Sequence, residues 1–290
     1  MTTLRIAVCQ VECHPAIFAS NVNYVSEPFV PVVGQPSMSL LSGRGLDFAG
    51  LETLCRDQYL AWHEARVAAV LQFLRGLDPP PDVVLFPEGS IPLELLRPIA
   101  EWSALTGCTV LAGSHTPRRS PKSLGRYLSL GIAKDVVQKV FRYGSTNTLP
   151  IIRRGEVTLV PKRLLSPFER SIVSAPAREL PLVRPYELQA GSIRLLPLIC
   201  SEALQLHSVT ETYDLVGIVA YDSKPENFRK YIDLQVANGK PVLFCNDGAT
   251  GQSFVHAITD KRTPNWLVET IPNGLPPGDA ILVVDRKSVV

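Results

Sequence analysis

The run IRLLPLICSE, residues 193–202, is apolar at almost every position until it stops on Cys200, with Ser201 and Glu202 behind it. Consecutive rather than alternating apolar residues describe a strand covered on both faces, as in a parallel sheet held between layers. A thiol at the end of such a strand is either a small buried group or a nucleophile at the lip of the sheet. Two other stretches share the layout. In VVLFPE (83–88) an apolar run is followed by Pro87 and Glu88, and in VTLVPK (157–162) by Pro161 and Lys162. A proline behind a strand stops the ladder and fixes the turn, so it aims the next side chain. In open α/β sheets, sites form in the crevice outside the carboxyl ends of the strands. A glutamate, a lysine and a cysteine are therefore candidates to meet in one crevice.

The flanking elements alternate. Strands are predicted at 4–8, 109–114, 215–221, 241–245 and 280–285. Near-helical spacing of Leu51, Leu54, Cys55, Leu60, Val67, Val70, Leu71 and Leu74 predicts a helix over 51–77, stopped by DPPPD. A second helix is expected over 93–107, bent at Pro98 and ended by Gly107, and a third over 225–239, ended by Gly239. Strands alternating with helices argue for a layered α/β domain. Residues 23–50, rich in Pro, Ser and Gly, predict an irregular excursion, and the basic stretch PRRSPKSLGR (117–126) a solvated loop.

Bulk properties narrow the function. The 290 residues are 46% apolar, enough for a sizeable core, and the formal charge of +2 gives no sign of a nucleic-acid or membrane-surface partner. No apolar stretch reaches the roughly 18 residues of a membrane span. The opening MTTLRIAVCQVE lacks a signal-peptide layout, so a cytoplasmic location is expected. Six cysteines, at 9, 13, 55, 108, 200 and 245, form no C-x-x-C, and the five histidines show no zinc-ligand spacing. No Gly-rich phosphate loop occurs.

The chemistry explains why these three residue types belong together. The thiolate is the nucleophile, and a free thiol near neutral pH is mostly protonated. A carboxylate within reach can take that proton and return it to a leaving amine. A lysine ammonium favours the thiolate and can face the oxyanion of a tetrahedral intermediate, where the backbone N–H of Ser201 is a second possible donor. Cys245 also ends an apolar run, PVLFC, and spacing alone does not rank it below Cys200.

RIAVCQVE, DVVLFPEGS, TVLAGSH, EVTLVPKRLLSPFE, IRLLPLICSE and NDGATGQSF stand in the order found in the nitrilase superfamily, the carbon–nitrogen hydrolases. The chain resembles that family from about residue 4 to about residue 286. The resemblance implies an α/β fold of four layers, an αββα sandwich with mixed sheets and helices on the outer faces. Residues 1–290 are accordingly expected to form one carbon–nitrogen hydrolase domain, with an irregular insertion around 23–58. It implies a Glu-Lys-Cys triad of Glu88, Lys162 and Cys200, in FPEG, VPKRLL and LICSE. Glu169, in SPFERS, resembles the family's second glutamate, which orients the lysine or the substrate. STNTLPIIRRGEVTLVPK resembles the family's Asn-Thr strand and turn before the lysine. Cys245 falls in a structural strand of the family, and His115 lies near the site without an assigned role. Ser201 replaces the aromatic residue that many members carry after the nucleophile, and LQVANG lacks the glutamate common before Asn-Gly.

The implied activity is hydrolysis of a non-peptide carbon–nitrogen bond in an amide, carbamoyl compound or nitrile, through a thioester or thioimidate, with no metal or organic cofactor. The implied partners are a small-molecule substrate and a second copy of the chain, in a homodimer or larger assembly, with no nucleic acid and no membrane. Two alternatives stay open: an acyltransferase or ammonia-supplying amidase using the same triad, and a non-catalytic binding or assembly module.

Overall fold

The computed structural model describes residues 3–11, 63–91, 95–113, 121–142, 147–164, 185–188, 193–222, 224–248, 251–258, 266–270 and 280–287. Glu169, His115 and the 23–58 insertion lie outside these residues.

Two six-stranded mixed sheets carry the architecture. The first has the order β12 (Ala280–Lys287), β1 (Thr3–Gln10), β2 (Val83–Phe86), β3 (Thr109–Ala112), β4 (Thr148–Arg153) and β5 (Glu156–Pro161). The second has the order β11 (Trp266–Thr270), β10 (Phe254–Ile258), β9 (Val242–Cys245), β8 (Leu215–Val219), β7 (Arg194–Ile199) and β6 (Tyr186–Glu187). At the centre of each sheet three strands run parallel: β1, β2 and β3 in one, and β7, β8 and β9 in the other. These are the strands with consecutive apolar residues, as burial on both faces requires.

The period-2 alternation of a strand sorts β1 between two clusters. Leu4, Ile6 and Val8 face the second sheet, in a core that includes Leu85, Leu111, Leu196, Ile218 and Phe244. Ala7 and Cys9 face outward with Val84, Phe86 and Val110, under a layer of helices. That layer is α1 (residues 63–75), α2 (Leu96–Thr106), α3 (Pro121–Ser129) and α4 (Lys134–Arg142). Val67 and Leu74, Ile99 and Trp102, Tyr127, and Val137 and Val140 supply their buried faces. On the second sheet, α5 (Arg229–Ala237) buries Ile232 and Val236. Gly217 of β8 lets the sheets close: a Cβ there would lie 3.1 Å from Leu111 and 3.2 Å from Leu195.

Several boundaries differ from expectation. The strand at 109–114 ends at Ala112, because Gly113 turns the chain with φ +54°. Pro98 falls in the first turn of α2, where its missing N–H has no intrahelical partner to lose, so the helix is continuous. Gly107 ends that helix in the left-handed conformation, as expected. The third helix starts as a 3₁₀ turn, Pro225–Phe228. The basic stretch is helical from Pro121 on, anchored by the fully buried ring of Tyr127.

Candidate active site

β4 and β5 form an antiparallel pair attached to the parallel set, and two reversals return β5 to the direction of β2. The carboxyl ends of β2 and β5 therefore share one edge of the first sheet. Glu88 and Lys162 project just beyond it. The Lys162 Nζ lies 2.9 Å from Glu88 Oε1, and both side chains are 1% exposed. Asn147 Nδ2 donates to the same oxygen at 2.5 Å, and the N–H of Tyr221, beyond β8, donates to Oε2 at 3.1 Å. Both oxygens of Glu88 are thus held, one from the first sheet and one from the second.

The turn that carries Glu88 is built tightly. Ser90 Oγ donates to the carbonyl of Pro87 at 2.7 Å, His63 Nε2 of α1 donates to the carbonyl of Ser90, and Glu88 N–H donates to Ala220 O at 3.3 Å. Gly113, at the end of β3, lies against this turn. A Cβ there would stand 2.6 Å from the Pro87 carbonyl and 2.9 Å from Ser90 Oγ. Pro161 is the last paired residue of β5, opposite Thr148, and the ladder continues with Lys162 N–H to Asn147 O at 2.6 Å. The expected break behind the strand is not seen: the proline lies inside β5, and the pairing runs past it to Lys162.

Cys200 comes one residue after β7, beside the β8 end that supplies Ala220 and Tyr221 to Glu88. It is 7% exposed, and its φ of +46° is in the left-handed region. That conformation costs a residue with a side chain about 1–2 kcal/mol, so the surrounding contacts must impose it. A 3₁₀ segment, Cys200–Ser208, begins at the thiol. Its first turn is tied to the lysine loop: Glu202 Oε1 accepts from Arg163 N–H at 2.6 Å, and Ser201 Oγ donates to Leu164 O at 2.6 Å. Residues 162–164 and 200–202 are thus cross-linked by hydrogen bonds. Glu88 and Lys162 are in direct contact, and the turn that Cys200 opens is hydrogen-bonded to the loop that carries Lys162.

The other described cysteines differ in setting. Cys9 lies inside β1, Cys245 is the last residue of β9 and Cys108 comes just before β3, all 0–1% exposed, with burial pushing each thiol pKa well up. Cys245 donates to the carbonyls of Cys9 and Leu85 at 3.4 and 3.5 Å. Two groups at the site were not singled out from sequence as functional residues: Asn147, at the head of β4, and Glu202. The signal for Glu202 is its place three residues after Ile199, the spacing of a carboxylate that reaches back to an N–H ahead of a helical turn. Burial pushes the Glu202 carboxyl above the ordinary range, opposed by the N–H groups of Arg163 and Ile199. Among the described residues, no group of three His, Cys, Asp or Glu could hold a metal ion, and no helix is long and apolar enough to cross a membrane.

No family model and no curated protein matches this sequence. Solved structures do match over nearly the whole chain. A CN-hydrolase superfamily protein from Xanthomonas campestris, with an arsenic adduct in its active site, superposes with a TM-score of 0.54 at 16% identity, covering 99% of this chain and 92% of that one. A mutant of a Nesterenkonia amidase from the nitrilase superfamily gives 0.52 at 15% identity, covering 98% and 91%. A Saccharomyces cerevisiae member of branch 10 of that superfamily gives 0.51 at 13%, covering 98% and 90%. The likeness is one of fold: this chain has the αββα sandwich of the nitrilase superfamily.

Proposed function

We propose that this chain is a divergent member of the nitrilase superfamily and hydrolyses a non-peptide carbon–nitrogen bond. The observation that carries the reading is the buried Glu88–Lys162 pair, 2.9 Å apart, with the lysine loop hydrogen-bonded to the turn that begins at Cys200, whose backbone is strained. A buried ion pair contributes little net stability compared with apolar residues of the same volume, so its presence at a sheet edge calls for another reason. Nucleophilic catalysis supplies one.

In this reading the Cys200 thiol passes its proton to Glu88 while its sulfur attacks the substrate carbon. The carbonyl π pair moves onto oxygen, where Lys162 and the Ser201 N–H stabilise it. The tetrahedral intermediate collapses, the C–N bond breaks, and the leaving ammonia or amine takes the proton from Glu88. Water then attacks the thioester and gives a proton to Glu88; the C–S bond breaks, the acid leaves, and Glu88 passes that proton to the sulfur, restoring the thiol and its own carboxylate. Glu169 would orient Lys162 or the substrate, as the family resemblance implies.

Short aliphatic amides are the first substrates to test. A cysteine-to-alanine mutant of the Nesterenkonia amidase is in complex with butyramide, and a glutamate-to-glutamine mutant carries acrylamide or the acetamide moiety of fluoroacetamide on its active-site cysteine. The experiment is ammonia release from a panel of amides, carbamoyl amino acids and nitriles. Cys200→Ala, Glu88→Gln and Lys162→Met should each lose activity by about a thousandfold. Wild-type turnover by purified Cys200→Ala would end the reading.

A further inference from the structure

Glu202 is buried, 1% exposed, and lies two residues beyond the thiol. Its two oxygens take different partners. Oε1 accepts from the backbone N–H of Arg163, the residue after Lys162, and Oε2 accepts at 2.9 Å from that of Ile199, the residue before Cys200. Both oxygens are used as acceptors, the role a carboxylate fills with no proton of its own to place. The Arg163 Nε, 3.8 Å from Oε1, adds a cation to the same side. Ser201 Oγ makes a second connection between the same two chain segments, to Leu164 O.

β6 is only two residues long and pairs with β7 at Leu195 and Arg194. Past that point β8 is the one strand paired with β7 among the described residues. The end of β7 would be free to shift sideways without a tie on its other side. The lysine loop leaves the first sheet and the cysteine turn leaves the second, so no shared ladder fixes one against the other. Glu202 bridges that gap through backbone atoms, which do not change rotamer.

We propose that Glu202 is a positioning residue: its carboxylate clasps the lysine loop to the cysteine turn and sets the approach of the Cys200 thiol to the Lys162 ammonium. Ser201, in place of the aromatic residue many relatives carry, supplies the second strut. The inference rests on the reading of Cys200 as a nucleophile. As a negative charge beside the thiol, Glu202 opposes thiolate formation, so removing the charge alone would make Cys200 more reactive at lower pH. As a clasp, Glu202 favours the thiolate by holding it against Lys162, so removing the clasp raises the pH at which Cys200 reacts.

The test is the rate of Cys200 alkylation by chloroacetamide against pH, read peptide by peptide in full-length wild type, Glu202→Gln, Glu202→Asp and Ser201→Ala. Glutamine turns one acceptor into a donor facing an N–H. Aspartate keeps the charge but, one methylene shorter, does not span both N–H groups. The expected result is a rate about tenfold lower for both, with the pH midpoint moved upward, in protein whose circular dichroism is that of wild type. Ser201→Ala should move the same way by about threefold, and it serves if the Glu202 variants do not fold. Unchanged profiles, or a midpoint moved downward in Glu202→Gln with Glu202→Asp like wild type, would overturn the clasp. Wild-type Cys200 reacting no faster than Cys9, Cys108 or Cys245 would instead sink the nucleophile reading, and the clasp's purpose with it.

Discussion

The ammonium of Lys162 and the carboxylate of Glu88 meet at 2.9 Å with both side chains 1% exposed. Removing one partner leaves the other charged and buried, and such changes cost about 3–5 kcal/mol. Lys162→Met should therefore lower the unfolding free energy in urea by about that amount. The double variant Lys162→Met, Glu88→Gln should recover most of the loss. Strictly additive losses in the double variant would show that the pair is not coupled as its geometry requires.

Gly113 and Gly217 both fill close approaches, but with different neighbours. A methyl at Gly113 meets the Pro87 carbonyl at 2.6 Å and needs a φ of +54°, whereas one at Gly217 meets the ends of leucine side chains at 3.1 Å or more. Gly113→Ala should lose about 2 kcal/mol or more and also lower turnover, because it displaces the turn that carries Glu88. Gly217→Ala should lose about 1–2 kcal/mol and keep its turnover. Equal turnover in the two variants would contradict the coupling of Gly113 to the site.

Glu202 gives a pH signature with a defined sign. Burial raises its carboxyl in the folded protein, so the folded state binds that proton more readily than the unfolded chain does. Ionised Glu202 therefore costs stability, and the cost grows as pH rises from the ordinary carboxylate value to the raised one, then stays constant. Across that window the stability of Glu202→Gln relative to wild type should rise with pH. Urea midpoints of the two proteins over a pH series give the difference directly. A difference that falls as pH rises would mean that the bonds to Arg163 and Ile199 outweigh burial.

The parallel strands were legible because residues such as 83–86 and 195–199 are buried on both faces and so are apolar without alternation. The candidate triad was legible for a related reason: a single polar residue after such a run stands out. β10, with His256 and Phe254 among its five residues, and β11 carry no such run. α3 was hidden because its buried contact, Tyr127, is embedded among prolines and cations that read as a loop. The bracing of the site was illegible for a deeper reason. The Arg163 N–H that Glu202 holds lies 39 residues away, and the Tyr221 N–H that holds Glu88 lies 133 residues away; such distant backbone donors leave no mark in a sequence, whereas the local bond from Glu202 to Ile199 does.

If Glu88 and Lys162 make a nucleophile of Cys200, mass mapping after incubation with fluoroacetamide will locate it. The expected result is one acetamide adduct on Cys200, slowed by Glu88→Gln and by Lys162→Met, with Cys9, Cys108 and Cys245 left unmodified in the folded protein. Adducts spread over the cysteines, or a Cys200 rate unchanged in both variants, would contradict it.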